Sequence, residues 1–413
     1  MQLKVAIMPD LSPVSPRIAI VGGGPAGLTL ARLLYLRGVH AVVFERDAHP
    51  LDRPQGGTLD LHDDGGLLAL ERCGLRAAFD AVARPEDQGT RVMSPQGDLL
   101  IDEQDESDAG RPEVDRTALR ALLLDSLPTG MVRWNAALQA LAPLPDGRWR
   151  LTAGSADGND HPDGVDDVGT DSVGGASEDF DLVVGADGAW SRVRPWLSPY
   201  RPQHSGLTFV EFSIDDADRA HPEQSALVGR GKLWIEAPGK SLIVQRNGHA
   251  HLRGYAVFRV PADWAARRFD PADPASTRAA LLEEFQDFAA PLRDLLRASD
   301  DRFAIRPIHA LPVGHRWAPR RGLTLIGDAA HLMSPFGGEG VNAAMRDAVE
   351  LAGQLGQGAA WDTAVERFEA EMFERVLPAA EGSAMGAALH LSHVGQALSV
   401  AHHHEVTAAH PPA

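Results

Sequence analysis

The stretch that most constrains this chain is RIAIVGGGPAGLTLARLLYLRGVHAVVFERD, residues 17–47. Residues 17–21 read as a buried strand and residues 41–45 as a second one. Between them, residues 25–37 read as a helix with Leu28, Ala31, Leu34 and Leu36 on or near one face. Strand, helix and strand within about 30 residues make a βαβ unit, and such a unit demands a parallel sheet. Gly22, Gly24 and Gly27, with Pro25 and Ala26 between the last two, form the connecting turn. Gly22 permits a tight turn, Gly24 lets backbone N–H groups approach a pyrophosphate, and Gly27 lets helix and strand pack closely. Glu45 ends the second strand, where an acid accepts hydrogen bonds from ribose hydroxyls. A glycine-rich turn without a ligand would need neither the flanking strands nor the acid. The pattern therefore predicts a bound dinucleotide with a free 2′-hydroxyl, FAD or NAD, and leaves the choice between them open.

A chain of 413 residues has room for a second unit beside this one. Residues 115–127 read as a helix with Asp115 as N-cap, and residues 148–153 and 180–187 as strands. Residues 154–179 are rich in Asp, Gly and Ser and carry no Lys, Arg or aromatic residue, so a flexible acidic loop is expected. Its acids lack the spacing of a calcium loop. Residues 206–260 alternate as the strands of an antiparallel sheet, and residues 276–298 read as one helical stretch. A strand returns at 323–327 before a glycine-rich turn and a helix. Residues 361–398 read as mainly helical, kinked or broken at Pro378, and His402, His403 and His404 as a frayed end, so no metal site is expected.

The net charge of −18 argues against nucleic acid or an anionic membrane as partner. The one cysteine, Cys73, lies in an apolar-periodic stretch and reads as a buried structural thiol, which fits a reducing compartment. Residues 1–16 make a poor signal peptide, and no apolar run is long enough to span a bilayer, so a cytoplasmic protein is expected.

Two further motifs carry chemistry. In DLVVGADGAWSRVRPWL (181–197) a strand ends at Asp187-Gly188, and Ser191, Arg192 and Arg194 follow. Ligands bind at such carboxyl ends of strands, and arginines suit phosphate oxygens. In LTLIGDAAHLMSPFGGEGVNAAMRDAVELA (323–352) a strand ends at Gly327-Asp328, and Pro335, Gly337, Gly338 and Gly340 precede a helix. An acid there can accept from a ribityl or ribose hydroxyl, and the helix N-terminus can face an electron-rich ring edge. His331 reads as a structural residue at the start of this turn.

The three motifs, in this order, resemble those of the group A flavin monooxygenases, the para-hydroxybenzoate hydroxylase type. Within that family the chain resembles the tetracycline-inactivating monooxygenases, through FERD (44–47), GGTLDLH (56–62), EVDRTALRALLLDSL (113–127) and GDAAHLMSPFGGEGVN (327–342). The resemblance implies an α/β fold: a Rossmann-like FAD-binding domain (17–75, 110–200 and 300–355), an interleaved antiparallel-sheet substrate domain (76–109 and 201–299) and a C-terminal bridging helix (361–398). It implies that Glu45 binds the FAD ribose and that Arg46 lies over the adenine. Asp60 and Arg116 would contact FAD, Arg53 would contact NADPH, and Asp187 in the DG motif would serve both nucleotides. Asp328 would hold the ribityl and pyrophosphate region, Gly338, Glu339, Gly340 and Val341 would wrap the isoalloxazine edge, and Pro335 would lie near the ring. The family's substrate-sheet residues fall opposite Phe212, Lys232 and Arg253, with Trp234 beside them. The implied activity is hydroxylation of an electron-rich aromatic or polyketide substrate through a flavin C4a-hydroperoxide. NADPH or NADH and O2 would be co-substrates, and the protein a monomer. Three alternatives share the scaffold: a halogenase, whose WxWxI signature is absent, an isoprenoid-type reductase, and a flavoprotein that sequesters a ligand without turnover.

Overall fold

A computed structural model describes residues 16–52, 56–104, 110–155, 175–356, 360–392 and 401. The βαβ unit is present as Ile18–Val21, the helix Pro25–Leu36 and Ala41–Phe44. Every residue of both strands is buried, as expected for parallel strands covered on two faces. Gly22 holds φ at 108°, and a Cβ at Gly27 would lie 2.1 Å from the carbonyl oxygen of Gly22. Both positions therefore require glycine.

Five parallel strands form the central sheet in the order Leu323–Leu325, Leu182–Gly185, Ile18–Val21, Ala41–Phe44 and Val132–Arg133. The first three are neighbours, although the third to last strand of that order begins the chain and the first lies some three hundred residues later. Gly22, Asp187 and Asp328 follow the carboxyl ends of these three adjacent strands. The sheet thus gathers three distant motifs along one edge.

A seven-stranded sheet runs Ala304–Ala310, Gln203–Ile214, His251–Arg259, Lys240–Asn247, Lys232–Ala237, Thr90–Met93 and Leu99–Glu103. Val210, Phe212, Ile214, Leu233, Leu242 and Leu252 of one face pack with Leu281, Phe285, Leu292 and Leu295. The expected helix 276–298 is two helices, Pro274–Glu284 and Ala290–Arg297, with Pro291 inside the first turn of the second. Proline in a first turn starts a helix and cannot continue one, so the sequence did carry the break.

Asp115 stands at the N-cap of the helix Arg116–Asp125 but makes no capping bond; its carboxylate pairs with Arg84 at 2.8 Å. Residues 176–179, expected in the acidic loop, form a strand together with Phe180, which pairs with Trp149. The loop's residues 156–174 lie outside the described residues, as do Arg53 and His402 to His404. The helix Trp361–Leu389 runs unbroken through Pro378. Phe368, Met372 and Val376 before the proline and Ser383 and Ala387 after it are buried, so packing on both sides offsets the missing backbone donor. Among the described residues, no helix is long and apolar enough to cross a membrane.

Candidate active site

The first end of the site is built on Glu45, at the close of the strand Ala41–Phe44. Its Oε2 accepts from the N–H of Gly23 at 2.7 Å and its Oε1 from the N–H of Asp47 at 3.0 Å. Arg120, missing from the sequence expectations, binds the whole corner. Its Nη2 donates to Asp47 Oδ2 at 2.9 Å, its Nε to the Gly23 carbonyl at 3.2 Å and its Nη1 to the Pro50 carbonyl at 3.1 Å. Arg120 shares the buried face of its helix with Leu119 and Leu123, and a charge at an apolar position was the available signal. Arg46 beside this corner is exposed. The helix Pro25–Leu36 opens with no side-chain cap, and no atom lies within 4 Å of where a Gly24 Cβ would be. Its positive end is thus free to face an anion.

At the second turn, Asp187 Oδ2 accepts from the N–H of Arg192 at 2.8 Å, while its Oδ1 is buried with no hydrogen-bond partner. Burial holds this carboxyl above its ordinary range. The arginines expected to suit phosphate are turned inward. Arg194 Nε donates to the Ala329 carbonyl at 2.8 Å and Nη1 to the Ala189 carbonyl at 2.8 Å, and Arg192 Nη1 donates to the Leu138 carbonyl at 2.8 Å. Arg194 therefore ties the second turn to the third. A guanidinium has five donors, and here backbone carbonyls use them.

Asp328 at the third turn is exposed to solvent, with enough protein around it to desolvate its carboxylate. Burial raises its pKa, against the charges of His331, Arg116 and Arg194. His331 has the structural role read from the sequence. Its Nε2 bonds Asp347 Oδ2 at 2.6 Å, the same oxygen accepts from the Gly327 N–H at 2.9 Å, and Arg375 Nη2 donates to Oδ1 at 2.7 Å. Asp347 is fully buried, so this trio fixes the strand-to-turn corner from below.

The GGTLDLH and FGGEG turns are sewn together by Asn342, a second residue that sequence reading missed. Its Oδ1 accepts from the N–H groups of His62 at 2.9 Å and Gly66 at 3.0 Å. Its Nδ2 donates to the carbonyls of Asp60 at 3.0 Å and Gly338 at 3.3 Å. All of its amide capacity is used, which gives the contact a single geometry. Burial pushes Asp60 up, but the hydrogen bond from His62 at 3.1 Å and the charges of His62 and Lys232 prevail and hold it below the ordinary carboxylate range. Pro335 is exposed, Glu339 and Gly340 begin the helix Gly340–Leu355, and Val341 packs against the cluster of Leu28, Leu61 and Met345. Gly56, which opens the GGTLDLH segment, lies against Arg116, whose charge reaches Asp328.

The candidate substrate residues divide by strand parity. Lys232, Trp234 and Arg253 are half-buried on the face toward these turns; Phe212 is not with them. It lies on the opposite face, in the apolar core against the two helices, because it shares parity with Val210 and Ile214. Arg253 Nη1 pairs with Glu211. Thr58, Asp60, Glu113, Thr90, Lys232 and Gln245 line a cavity of about 180 Å³ between the sheet and the GGTLDLH segment. Thr58 Oγ1 donates to Glu113 Oε2 at 2.6 Å, and burial raises the Glu113 pKa. On the same face of the sheet, next to the end of the C-terminal helix, the rings of Phe209 and Tyr255 stand 5.6 Å apart, and those of Phe209 and Phe336 6.1 Å apart. The arrangement offers an uncapped helix end, an orphan carboxylate oxygen and an exposed acid at the carboxyl ends of three adjacent strands. Those groups fit a long dinucleotide carrying a planar ring.

Comparison with known proteins agrees with that chemistry. A profile of the family described as FAD binding domain matches residues 16–144 and 158–376. Monooxygenase penA of Penicillium thymicola is 34% identical over 379 residues, covering 82% of this chain and 84% of that protein. The 3-amino-4-hydroxybenzoate 2-monooxygenase PtmB3 of Streptomyces platensis is 31% identical over 361 residues, covering 84% of this chain and 82% of its own. Among solved structures, Klebsiella pneumoniae HpxO complexed with FAD and uric acid superposes with a TM-score of 0.74 at 19% identity, over 94% of this chain and 92% of that one. Tetracycline destructase Tet(51) superposes with a TM-score of 0.66 at 22% identity, over 93% and 94%.

Proposed function

The chain belongs to the FAD binding domain family and is an FAD-dependent monooxygenase, and on that premise we propose that it hydroxylates a planar, electron-rich phenolic or enolic small molecule, with NADPH or NADH as reductant and O2 as oxidant. The observation that carries the substrate class is the aromatic wall of Phe209, Tyr255 and Phe336 on the same sheet face as the polar cavity. Such a wall favours a flat ring, and the polar groups orient it. The name of the relative that acts on 3-amino-4-hydroxybenzoate supports the same class.

In this reading Glu45 and Arg46 bind the adenosine, the Gly24 turn and its helix face the pyrophosphate, and Asp187 and Asp328 accept from the hydroxyls along the chain of FAD. Asp60, Arg116 and the turn from Pro335 to Val341 surround the isoalloxazine. Bound FAD supplies electron transfer and the activation of O2. The protein's own work is orientation, exclusion of water and placement of charge. Lys232, facing Asp60 and Glu113 across the cavity, attracts an anionic substrate group. Arg253 and Trp234 complete that side. Arg53 is proposed to meet the nicotinamide nucleotide.

Tetracycline inactivation is the second reading, favoured by the GGTLDLH and EVDR segments; Phe212, turned into the core, does not contribute to it. A panel of 3-amino-4-hydroxybenzoate, salicylate and tetracycline tests both readings. NADPH oxidation and O2 uptake stimulated by a panel compound, with a product heavier by one oxygen atom, is the expected result. Tight binding of a compound without any turnover would overturn it in favour of a sequestering flavoprotein.

A further inference from the structure

The helix Trp361–Leu389 ends against the site-facing side of the seven-stranded sheet. Arg259 closes that end. Its Nη2 donates to the carbonyls of Ala387 at 2.6 Å and Ala388 at 3.3 Å, and also to that of His390. Leu391 turns back with φ at 63°, and its N–H donates to Glu236 Oε1 at 2.7 Å. The effect is to bury His390, 4% exposed, between two rings from different parts of the site. Phe336 of the FGGEG turn lies 4.4 Å from the imidazole centroid, and Trp234 of the sheet 5.3 Å.

The imidazole has no hydrogen bond on either nitrogen, although its Nδ1 stands 3.4 Å from Glu236 Oε2. An unsatisfied buried polar group costs about 1–3 kcal/mol, so folds rarely keep one without a use. His390 is not alone in this. Trp234 Nε1 is also buried and unpartnered, and so is Ser383 Oγ, which lies 3.0 Å from where a Gly337 Cβ would be. These orphans meet where the sheet, the FGGEG turn and the helix end converge. Such a set is complementary to a flat ligand that brings its own hydrogen-bonding groups.

We infer that His390 is the base that takes the proton from the substrate's acidic hydroxyl, and that Glu236 positions it. The inference rests on the hydroxylase reading above. The substrate O–H bond breaks, its proton bonds to Nε2, and the electron pair stays on oxygen. The resulting phenolate or enolate is richer in electrons at the carbon to be oxygenated. Glu236 Oε2, 3.4 Å from Nδ1, favours the tautomer with its proton on Nδ1, which leaves Nε2 free as acceptor, and its charge stabilises the imidazolium. After oxygen transfer the proton returns to the product, so no net proton is consumed by the pair. Among the described residues, Glu236 and Arg259 bring charge to His390, while Trp234 and Phe336 are neutral.

The test uses purified holoenzyme with 3-amino-4-hydroxybenzoate, salicylate or tetracycline, whichever the wild type converts. For His390→Gln we expect kcat/KM to fall by about a hundredfold or more, as for loss of a general base, and the acid limb of its pH profile to vanish. Glu236→Gln keeps an acceptor for Leu391 and removes the charge. A lone imidazole protonates less readily, so the acid limb should move to lower pH. FAD absorbance and melting temperature check the fold of each variant. Variants that lose stability or raise KM while both keep the wild-type acid limb would assign His390 a structural role and overturn the inference alone. If the His390 variant does not fold, the Glu236→Gln profile decides. If the wild type converts none of the three compounds, the hydroxylase reading falls and the inference with it.

Discussion

At the scale of single residues, two side chains organise the site that no motif announced. Arg120 neutralises Asp47 at 2.9 Å and approaches Glu45 at 3.5 Å, all three almost fully buried. Removing one partner of such a set leaves charges buried and uncompensated, a loss of about 3–5 kcal/mol. Arg120→Met is therefore expected to lower unfolding free energy by that amount and to release FAD, read by denaturant titration and by flavin absorbance after gel filtration. Retention of both stability and flavin would count against the role. Asn342 is legible only in three dimensions, because its partners Asp60, His62 and Gly66 lie far back along the chain. Cys73, by contrast, was readable from its neighbours. It is fully buried, and burial pushes its thiol up to about 12, too high for a nucleophile at neutral pH.

At the scale of elements, parity decides function. Along Gln203–Ile214, Phe212 faces the helices, while Glu211 pairs with Arg253 on the site face. A one-residue shift in the reading of a strand exchanges core for site, and no local signal sets that register. Substitutions on the two faces should separate cleanly. Phe212→Ala should cost about 3–5 kcal/mol of stability and leave KM for a converted substrate near its wild-type value. Lys232→Ala should change stability little and raise KM for an anionic substrate. Thermal unfolding and steady-state kinetics on the same preparations check both, and a KM change in the Phe212 variant at unchanged stability would contradict the assignment. Helices were easier to read than sheet faces, since apolar periodicity marks the buried stripe directly. The break at residues 285–289 was still overlooked, though Pro291 signals a new start.

At the scale of the whole molecule, the C-terminal helix holds the sheets together, and one buried acid couples it to pH. Glu369 Oε1 accepts from Trp317 Nε1 at 2.9 Å and Thr324 Oγ1 at 2.8 Å, joining the helix to the central sheet. Burial drives its pKa from 4.5 up to about 7, against those two hydrogen bonds. Between these values the folded state binds a proton that the unfolded state has lost, so stability falls as pH rises from about 4.5 to about 7 and is level above. The loss attributable to this one group is on the order of 3 kcal/mol. Glu369→Gln, which cannot ionise, should flatten that part of the stability curve and stabilise the protein at pH above 7, as read by melting temperature across pH. An unchanged slope would show that the carboxyl titrates normally.

What residues 17–47 determined alone was a dinucleotide unit, because βαβ geometry, three glycines and a terminal acid are all local. The order of three motifs added the family and its flavin. Tertiary structure alone decided which polar groups remain available to a ligand. Arg194 and Arg120 look alike in sequence to any phosphate-binding arginine, yet backbone carbonyls and buried acids take their donors. Phe212 looked like a substrate contact until parity turned it inward. His390 read as one residue of a helical tail until Trp234, Phe336 and Glu236 enclosed it. The physical reason is the same in each case. A side chain's type is written locally, but its partners and its burial depend on contacts between segments far apart in the chain.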